Sequence, residues 1–314
     1  VRRAINHLGV KGSVLVTSSR KPILKYATNN SADTSYLINS VQKSMTAAML
    51  MREVQKGKMS LNDPLAKFFP KVAGADSVKI HNLLTMTSGF DIQVGEPLGT
   101  PKFISDEANL KHVEKYTVFD ARKLGEWHYT AVNYIYICGI LSKLEHKSYE
   151  KLFRETYINP LKLKQTEFLW SSKAELRAAN WVPGYEQKDG KYVRVKHAAA
   201  VQDAHNELGA GSIVMSNADL AKTMNYILHG KLLTKQSRAV LFKGEAPSYY
   251  NGGLYNLKRY KAANGAGAGY YTFMRSTKHG KDMIIIQDNH TTHGEFGRIK
   301  KKVNSIMSMM LHFN

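Results

Sequence analysis

Near the N-terminus, two runs of mixed apolar and polar residues, Gly12-Ser13-Val14-Leu15-Val16-Thr17 and Pro22-Ile23-Leu24-Lys25-Tyr26, flank the polar quartet Ser18-Ser19-Arg20-Lys21. Short β-type runs joined by turn residues predict a hairpin. From Asn39 the apolar residues Val41, Met45, Ala48, Leu50, Met51 and Val54 keep helical spacing as far as Gly57. That spacing predicts a helix over about 40–56, with Asn39 as N-cap and Gly57 as stop. From Leu83 to about Leu232 the pattern is mostly helical, most clearly over 133–144, 149–157 and 217–228. Strand patterning returns at 270–275 and 282–287, around Lys278-His279-Gly280-Lys281, and 299–313 reads as a closing helix. Strands near both ends with helices between them predict an α+β fold: an antiparallel sheet built from both termini, flanked by helices, with an inserted helical region. The expected organisation is one unit over 1–314, its α/β part at about 1–60 and 235–314 and its helical part at about 61–234.

Composition narrows the class. The 314 residues are 43% hydrophobic and 10% aromatic, which excludes a disordered chain. The single cysteine, Cys138, excludes an intrachain disulfide and any multi-cysteine metal site. Cysteine usage leaves the compartment open. The longest apolar stretches, 134–141 and 283–286, fall well short of the roughly 20 residues that span a bilayer, so no transmembrane segment is expected. The chain opens at Val1 without a signal-peptide hydrophobic region, compatible with removal of an export signal.

Forty-five Lys and Arg against 25 Asp and Glu give a net charge of +20, a field that attracts polyanions such as nucleic acid, anionic lipid or an acidic wall polymer. The cations are scattered, with small clusters only at Arg2-Arg3 and Lys300-Lys301-Lys302, so a solubilising surface explains them equally well. No nucleic-acid recognition motif accompanies the charge.

Ser40 and Lys43 stand three residues apart at the start of the predicted helix, on one face and one turn apart. Serine becomes a nucleophile when a neighbouring base takes its proton, and lysine can be that base. Alone, Ser-x-x-Lys arises by chance in many chains, so the surrounding text decides. The run Ile38-Asn39-Ser40-Val41-Gln42-Lys43-Ser44-Met45-Thr46 resembles the nucleophile helix of the penicillin-recognising serine hydrolases: class C β-lactamases, D-alanyl-D-alanine carboxypeptidases and related esterases. Further segments agree in order. Gly57-Lys58-Met59-Ser60-Leu61-Asn62-Asp63-Pro64 and Leu83-Leu84-Thr85-Met86-Thr87-Ser88-Gly89 are similar to two of them. Pro160-Leu161-Lys162-Leu163-Lys164-Gln165-Thr166 and Gly209-Ala210-Gly211-Ser212, with Ser216, Asp219 and Leu220, are similar to two more. The resemblance implies a β-lactamase/transpeptidase-like fold from about residue 10 to 300.

It also implies roles. Tyr129 matches the tyrosine of the family's Tyr-x-Asn motif, a base or proton relay that needs a close cation, which Lys43 would supply. Thr130 and Ala131 complete the motif's substrate-binding positions, but Ala131 stands where the asparagine belongs, and Asn133 is two residues out of place. The third motif, Lys/His-x-Gly, falls on Ala263-Asn264-Gly265, where the basic residue is missing. Gly265 would let an acyl group approach the backbone, and the amides of Ser40 and Ala266 would form the oxyanion hole. Lys261 could return a positive charge on the same strand face.

Weaker candidates are Asp288 with His290-Thr291-Thr292-His293-Gly294-Glu295, read as a solvated loop with metal as the alternative, Glu126 as an exposed loop carboxylate, and Cys138 as a core residue. No cofactor and no metal are expected. The reading is therefore a bacterial, extracellular or cell-surface serine hydrolase with a covalent acyl-enzyme on Ser40. It would act on D-alanyl peptides or esters of the cell wall, with weak or no β-lactamase activity. The expected partners are a small acyl or peptidoglycan-type substrate and an anionic wall polymer, not nucleic acid. The alternative, motivated by Ala131 and Ala263, is a catalytically impaired relative serving as a wall- or ligand-binding module.

Overall fold

The computed structural model describes residues 1–28, 30–99 and 102–312. The N-terminal hairpin forms as β1 (Gly12–Ser18) and β2 (Lys21–Ala27), closed by Ser19 and Arg20. Both turn residues are left-handed, with φ of 49° and 64°, the twist that a two-residue hairpin turn needs. Five strands from the C-terminal third complete a seven-stranded sheet: β3 (Tyr250–Asn251), β4 (Leu254–Asn256), β5 (Lys261–Gly267), β6 (Tyr270–Ser276) and β7 (Met283–Asp288). Its order is β3-β4-β5-β6-β7-β1-β2, antiparallel throughout, with Val14 opposite Ile286 where the two termini join.

Both faces of this sheet are covered, which explains an uninterrupted run such as Ile284-Ile285-Ile286. Val14, Val16, Phe273, Ile284 and Ile286 pack against Ile299, Val303, Ile306 and Met307 of the closing helix. Leu15, Ala263, Met274 and Ile285 instead join the larger core with the helices Lys43–Gln55, Val132–Glu145 and Asn217–Leu228. Strand β2 is the exposed edge, where Lys21, Pro22 and Lys25 discourage further strand pairing.

Several elements differ in detail from the sequence pattern. The helix expected over 40–56 begins as a 3₁₀ turn, Asn39–Gln42, before Lys43–Gln55. Asn39 is not an N-cap: its φ is 47°, and its side chain donates to the Gly267 carbonyl instead. The 149–157 helix divides into Tyr149–Phe153 and a π-turn at Arg154–Ile158. The closing helix runs Glu295–His312, starting earlier than expected, and Phe313 lies outside the described residues. Two short strands also cross the nominally helical middle, Thr166–Phe168 and Ile213–Ser216, and form a small sheet with Ser35–Leu37.

The segment after β7 is a correction. His290–Thr291 is not a solvated loop but pairs in parallel with Tyr185–Glu186, and the His290 ring stacks on Tyr185 at 4.6 Å. Among the described residues, no three His, Cys, Asp or Glu side chains converge as a metal site. Cys138 is buried in the larger core, and burial pushes its thiol pKa up. Among the described residues no helix is long and apolar enough to cross a membrane.

Candidate active site

Ser40 lies in the 3₁₀ turn and Lys43 opens the helix that follows, so the three-residue spacing puts both on one face. Lys43 Nζ is 2.9 Å from Ser40 Oγ and donates to the Ala210 carbonyl at 3.2 Å. Lys43 is 1% exposed while Ser40 is half-buried, so the serine stands between the amine and the opening of the site.

The carbonyl that meets Lys43 is itself held in place. Gln42 Oε1 accepts from the backbone N–H groups of Ser212 and Ile213, and its Nε2 donates to the Tyr149 hydroxyl at 3.1 Å. Thr46 Oγ1 donates to the Gly209 carbonyl at 2.5 Å. These bonds fasten 209–213 to the Ser40 turn and the helix that follows it, on either side of Ala210.

Strand β5 passes the other flank of the serine. A Cβ on Gly265 would sit 2.2 Å from the Ile38 carbonyl oxygen and 3.0 Å from Asn39 Cβ, so only glycine permits this approach. Asn39 Nδ2 bonds the Gly267 carbonyl at 3.3 Å. The left-handed backbone of Asn39, immediately before Ser40, costs about 1–3 kcal/mol. Ala266 lies between the two glycines, exposed beside the Ser40 turn.

A cavity of about 360 Å³ opens over Ser40 and Lys43, with Tyr129, Thr130 and Ala131 in its wall. The Tyr129 ring centre is 5.2 Å from Lys43 Nζ and edge-on to Tyr250 at 5.8 Å. Its hydroxyl has no hydrogen-bond partner among the described residues, an arrangement common before a substrate tightens a site.

The cavity wall also carries two carboxylates that the sequence did not single out, Asp91 and Glu207, with Ile92 and Leu98 as apolar lining. Asp91 Oδ2 is 3.1 Å from His128 Nε2. The Glu207 carbonyl accepts from the Ala210 and Gly211 amides at 2.7 and 3.1 Å. The one available signal was position: Asp91 follows the 83–89 segment by two residues, and Glu207 precedes Gly209 by two.

Other expected residues fall elsewhere. Gly265 and Ala266 border the turn rather than line the cavity. Asn133 is buried, its Nδ2 directed at the Thr130 carbonyl and Met86 sulfur, so it does not restore the amide missing at Ala131. Ala263 packs in the core. Lys261 is a correction. It shares a strand with Gly265, but its amine donates to Asn256 Oδ1 at 2.6 Å and to the Phe242 carbonyl at 3.3 Å, in a different cavity. Four residues of strand separate it from Gly265, about 13 Å at 3.3 Å per residue, too far for its side chain to join Ser40.

Known proteins share this fold. The PbpX protein of Bacillus subtilis, named as a penicillin-binding protein, is 24% identical over 285 residues, covering 90% of this chain and 69% of the relative. A teichoic acid D-alanine hydrolase of Staphylococcus aureus is 22% identical over 293 residues, covering 91% and 69% respectively. The crystal structure of D-amino acid amidase from Ochrobactrum anthropi superposes with a TM-score of 0.82 at 17% identity, over 99% of both chains. Residues 3–285 match the family described as Beta-lactamase. The chain therefore belongs to the beta-lactamase family, within the penicillin-recognising serine hydrolases.

Proposed function

We propose that this chain is a bacterial cell-surface serine esterase that removes D-alanyl groups bearing a free ammonium from a wall polymer, through an acyl-enzyme on Ser40. The carrying observation is the cavity itself, where Ser40 Oγ lies 2.9 Å from the buried Lys43 amine under a wall holding Tyr129, Asp91 and Glu207. Ser40 Oγ attacks the ester carbonyl carbon and gives its proton to Lys43. The carbonyl oxygen becomes an oxyanion held by the Ser40 and Ala266 amides. Collapse breaks the bond to the alcohol, which leaves with a proton relayed through Tyr129. Water then attacks the acyl-enzyme, transferring a proton back through Lys43, and releases the free amino acid with Ser40 regenerated.

Two features favour an unacylated D-alanyl ester over a penicillin or an N-acyl peptide. Ala131 removes the carboxamide that would hold an acyl-amide, while Asp91 and Glu207 supply negative charge for an ammonium. The names of the relatives, a teichoic acid D-alanine hydrolase and a D-amino acid amidase, point to the same substrate chemistry. The test is hydrolysis of D-alanine methyl ester, N-acetyl-D-alanine methyl ester and benzylpenicillin by wild type and Ser40→Ala, read as methanol release from the two esters and as opening of the β-lactam ring of the penicillin. The expected order is fastest on the free ester, with Ser40→Ala lower by several powers of ten. Preference for the N-acetyl ester would overturn the assignment. A second reading, a non-catalytic wall-binding module, draws on Ala131, Ala263 and the unpartnered Tyr129 hydroxyl; it requires that wild type and Ser40→Ala hydrolyse D-alanine methyl ester equally slowly.

A further inference from the structure

A second cavity, about 1060 Å³ in volume, shares no residue with the one over Ser40. It lies where the helix Lys235–Leu241, the β4–β5 turn, the β6–β7 turn and the β1–β2 turn converge. Nine of its nineteen lining residues are Lys or Arg, two are His, and among the described residues lining it none is Asp or Glu. For a chain whose cations looked scattered in sequence, this is a strong spatial concentration of charge.

Some of these cations are used internally. Arg238 donates to the Ile227 carbonyl, Arg20 to the His279 carbonyl, and Lys243 pairs with Glu245 at 2.6 Å. Lys235, Lys258, Lys278 and Lys281 are exposed and have neither an ion pair nor a side-chain hydrogen bond to a described residue. Beneath them Lys261 is 6% exposed and faces only the neutral oxygens of Asn256 and Phe242. Burial and the nearby Lys278 bring its pKa down to about 8, and burial, followed by the charges of Lys278 and Lys261, lowers that of His279. The cavity lining thus brings like charges together, and of its cations Lys243 pairs with a carboxylate, Glu245, at its rim.

We propose that this cavity binds the phosphodiester backbone of a teichoic-acid-type polymer, so that a pendent D-alanyl ester of the same chain can reach Ser40; this rests on the esterase reading. A phosphodiester chain offers one negative charge per repeat, matching cations spread over several elements rather than one focused pocket. Strand β5 connects the two places, with Lys261 at one end and Gly265 against the serine turn at the other. Nucleic acid fits less well, because base stacking needs an exposed aromatic platform. Phe242 is buried under Lys261, and Tyr260 is only half exposed.

The test measures binding of purified, dealanylated poly(glycerol phosphate) by calorimetry at two salt concentrations. It compares wild type, the triple variant Lys258→Glu/Lys278→Glu/Lys281→Glu, and an equally charged control at exposed sites outside the cavity, Lys71→Glu/Lys123→Glu/Lys191→Glu. The cavity variant is expected to lose at least tenfold in affinity and about 2 from the log-log salt slope, taking the single-strand value of about 0.7 per phosphate contact, with the control retaining most of both. Hydrolysis of D-alanine methyl ester is expected to be unchanged in the cavity variant, so the binding claim can fail while the esterase reading stands, or the reverse. Equal losses in the two triple variants, wild-type affinity in the cavity variant, or tighter binding of oligo-dT at matched phosphate concentration would each overturn the proposal.

Discussion

Gly265→Ala isolates the contact on which the oxyanion assignment depends. The new methyl carbon would lie 2.2 Å from the Ile38 carbonyl oxygen, whereas ordinary contact begins at 3.4 Å. The obstruction is backbone on one side and a strand interior on the other, so strand and serine turn must separate by about 1 Å. Oxyanion donors work at about 2.7–3.1 Å, and an opening of that size removes the Ala266 amide from range. Losing one such donor costs about 10²–10³ in kcat, or about 2.7–4 kcal/mol of transition-state stabilisation. The assay is steady-state hydrolysis of D-alanine methyl ester together with a thermal melt. Gly297→Ala serves as control, since a Cβ there meets nothing within 4 Å. The expected result is a kcat reduced a hundredfold or more, with the variant still folded and with KM changed far less. A Gly265→Ala enzyme with kcat within about twofold of wild type would refute the placement of Ala266 in the oxyanion hole.

Asp91→Asn with Glu207→Gln is expected to raise KM for D-alanine methyl ester about tenfold, from roughly 1–2 kcal/mol of partly screened ammonium attraction, and to leave an uncharged acetyl ester unaffected. Equal effects on both esters would remove the carboxylates from substrate recognition. Arg275 is fully buried and donates to the Ala263 and Met274 carbonyls and to Asn264 and Asn304, tying β5 to the closing helix. Arg275→Met leaves those acceptors unpaired and is expected to destabilise by about 3 kcal/mol or more in urea unfolding; a loss under 1 kcal/mol would contradict that role. Burial pushes the Asp288 pKa up from 3.8 to about 7, so between those values the folded state holds a proton that the unfolded state has lost. Stability contributed by this group therefore falls as pH rises through that window, by roughly 1.4 kcal/mol per pH unit. Asp288→Asn is expected to gain on wild type between pH 5 and pH 7 in urea titrations, and parallel pH profiles would contradict the assignment.

Much of the architecture was readable because it is written in local pattern. The 12–27 hairpin, the 217–228 helix and the strands around Lys278 each carry their period and turn residues within one short window. The candidate nucleophile Ser40 was readable through a different signal, several segments similar to the family's occurring in order. What escaped depends on distant segments meeting. Asp91 and Glu207 are more than a hundred residues apart and acquire meaning only when they share a wall. Asn39 carries every sequence mark of an N-cap, yet strand β5 arrives beside it and takes its side chain. Lys261 has the correct strand parity to face the serine, but parity says nothing about the 13 Å or so along the strand, and Asn256 satisfies its amine locally. The charge followed the same logic: scattered along the chain, it gathers only where turns of three strand pairs and one helix come together.

Activation of Ser40 as a nucleophile is read out by the intact mass of wild type and Ser40→Ala after incubation with a fluorophosphonate. One phosphonyl adduct is expected on wild type, formed when the Ser40 oxygen bonds phosphorus and fluoride leaves, and none on the variant. An unmodified wild type, or equal labelling of both proteins, would contradict activation of Ser40.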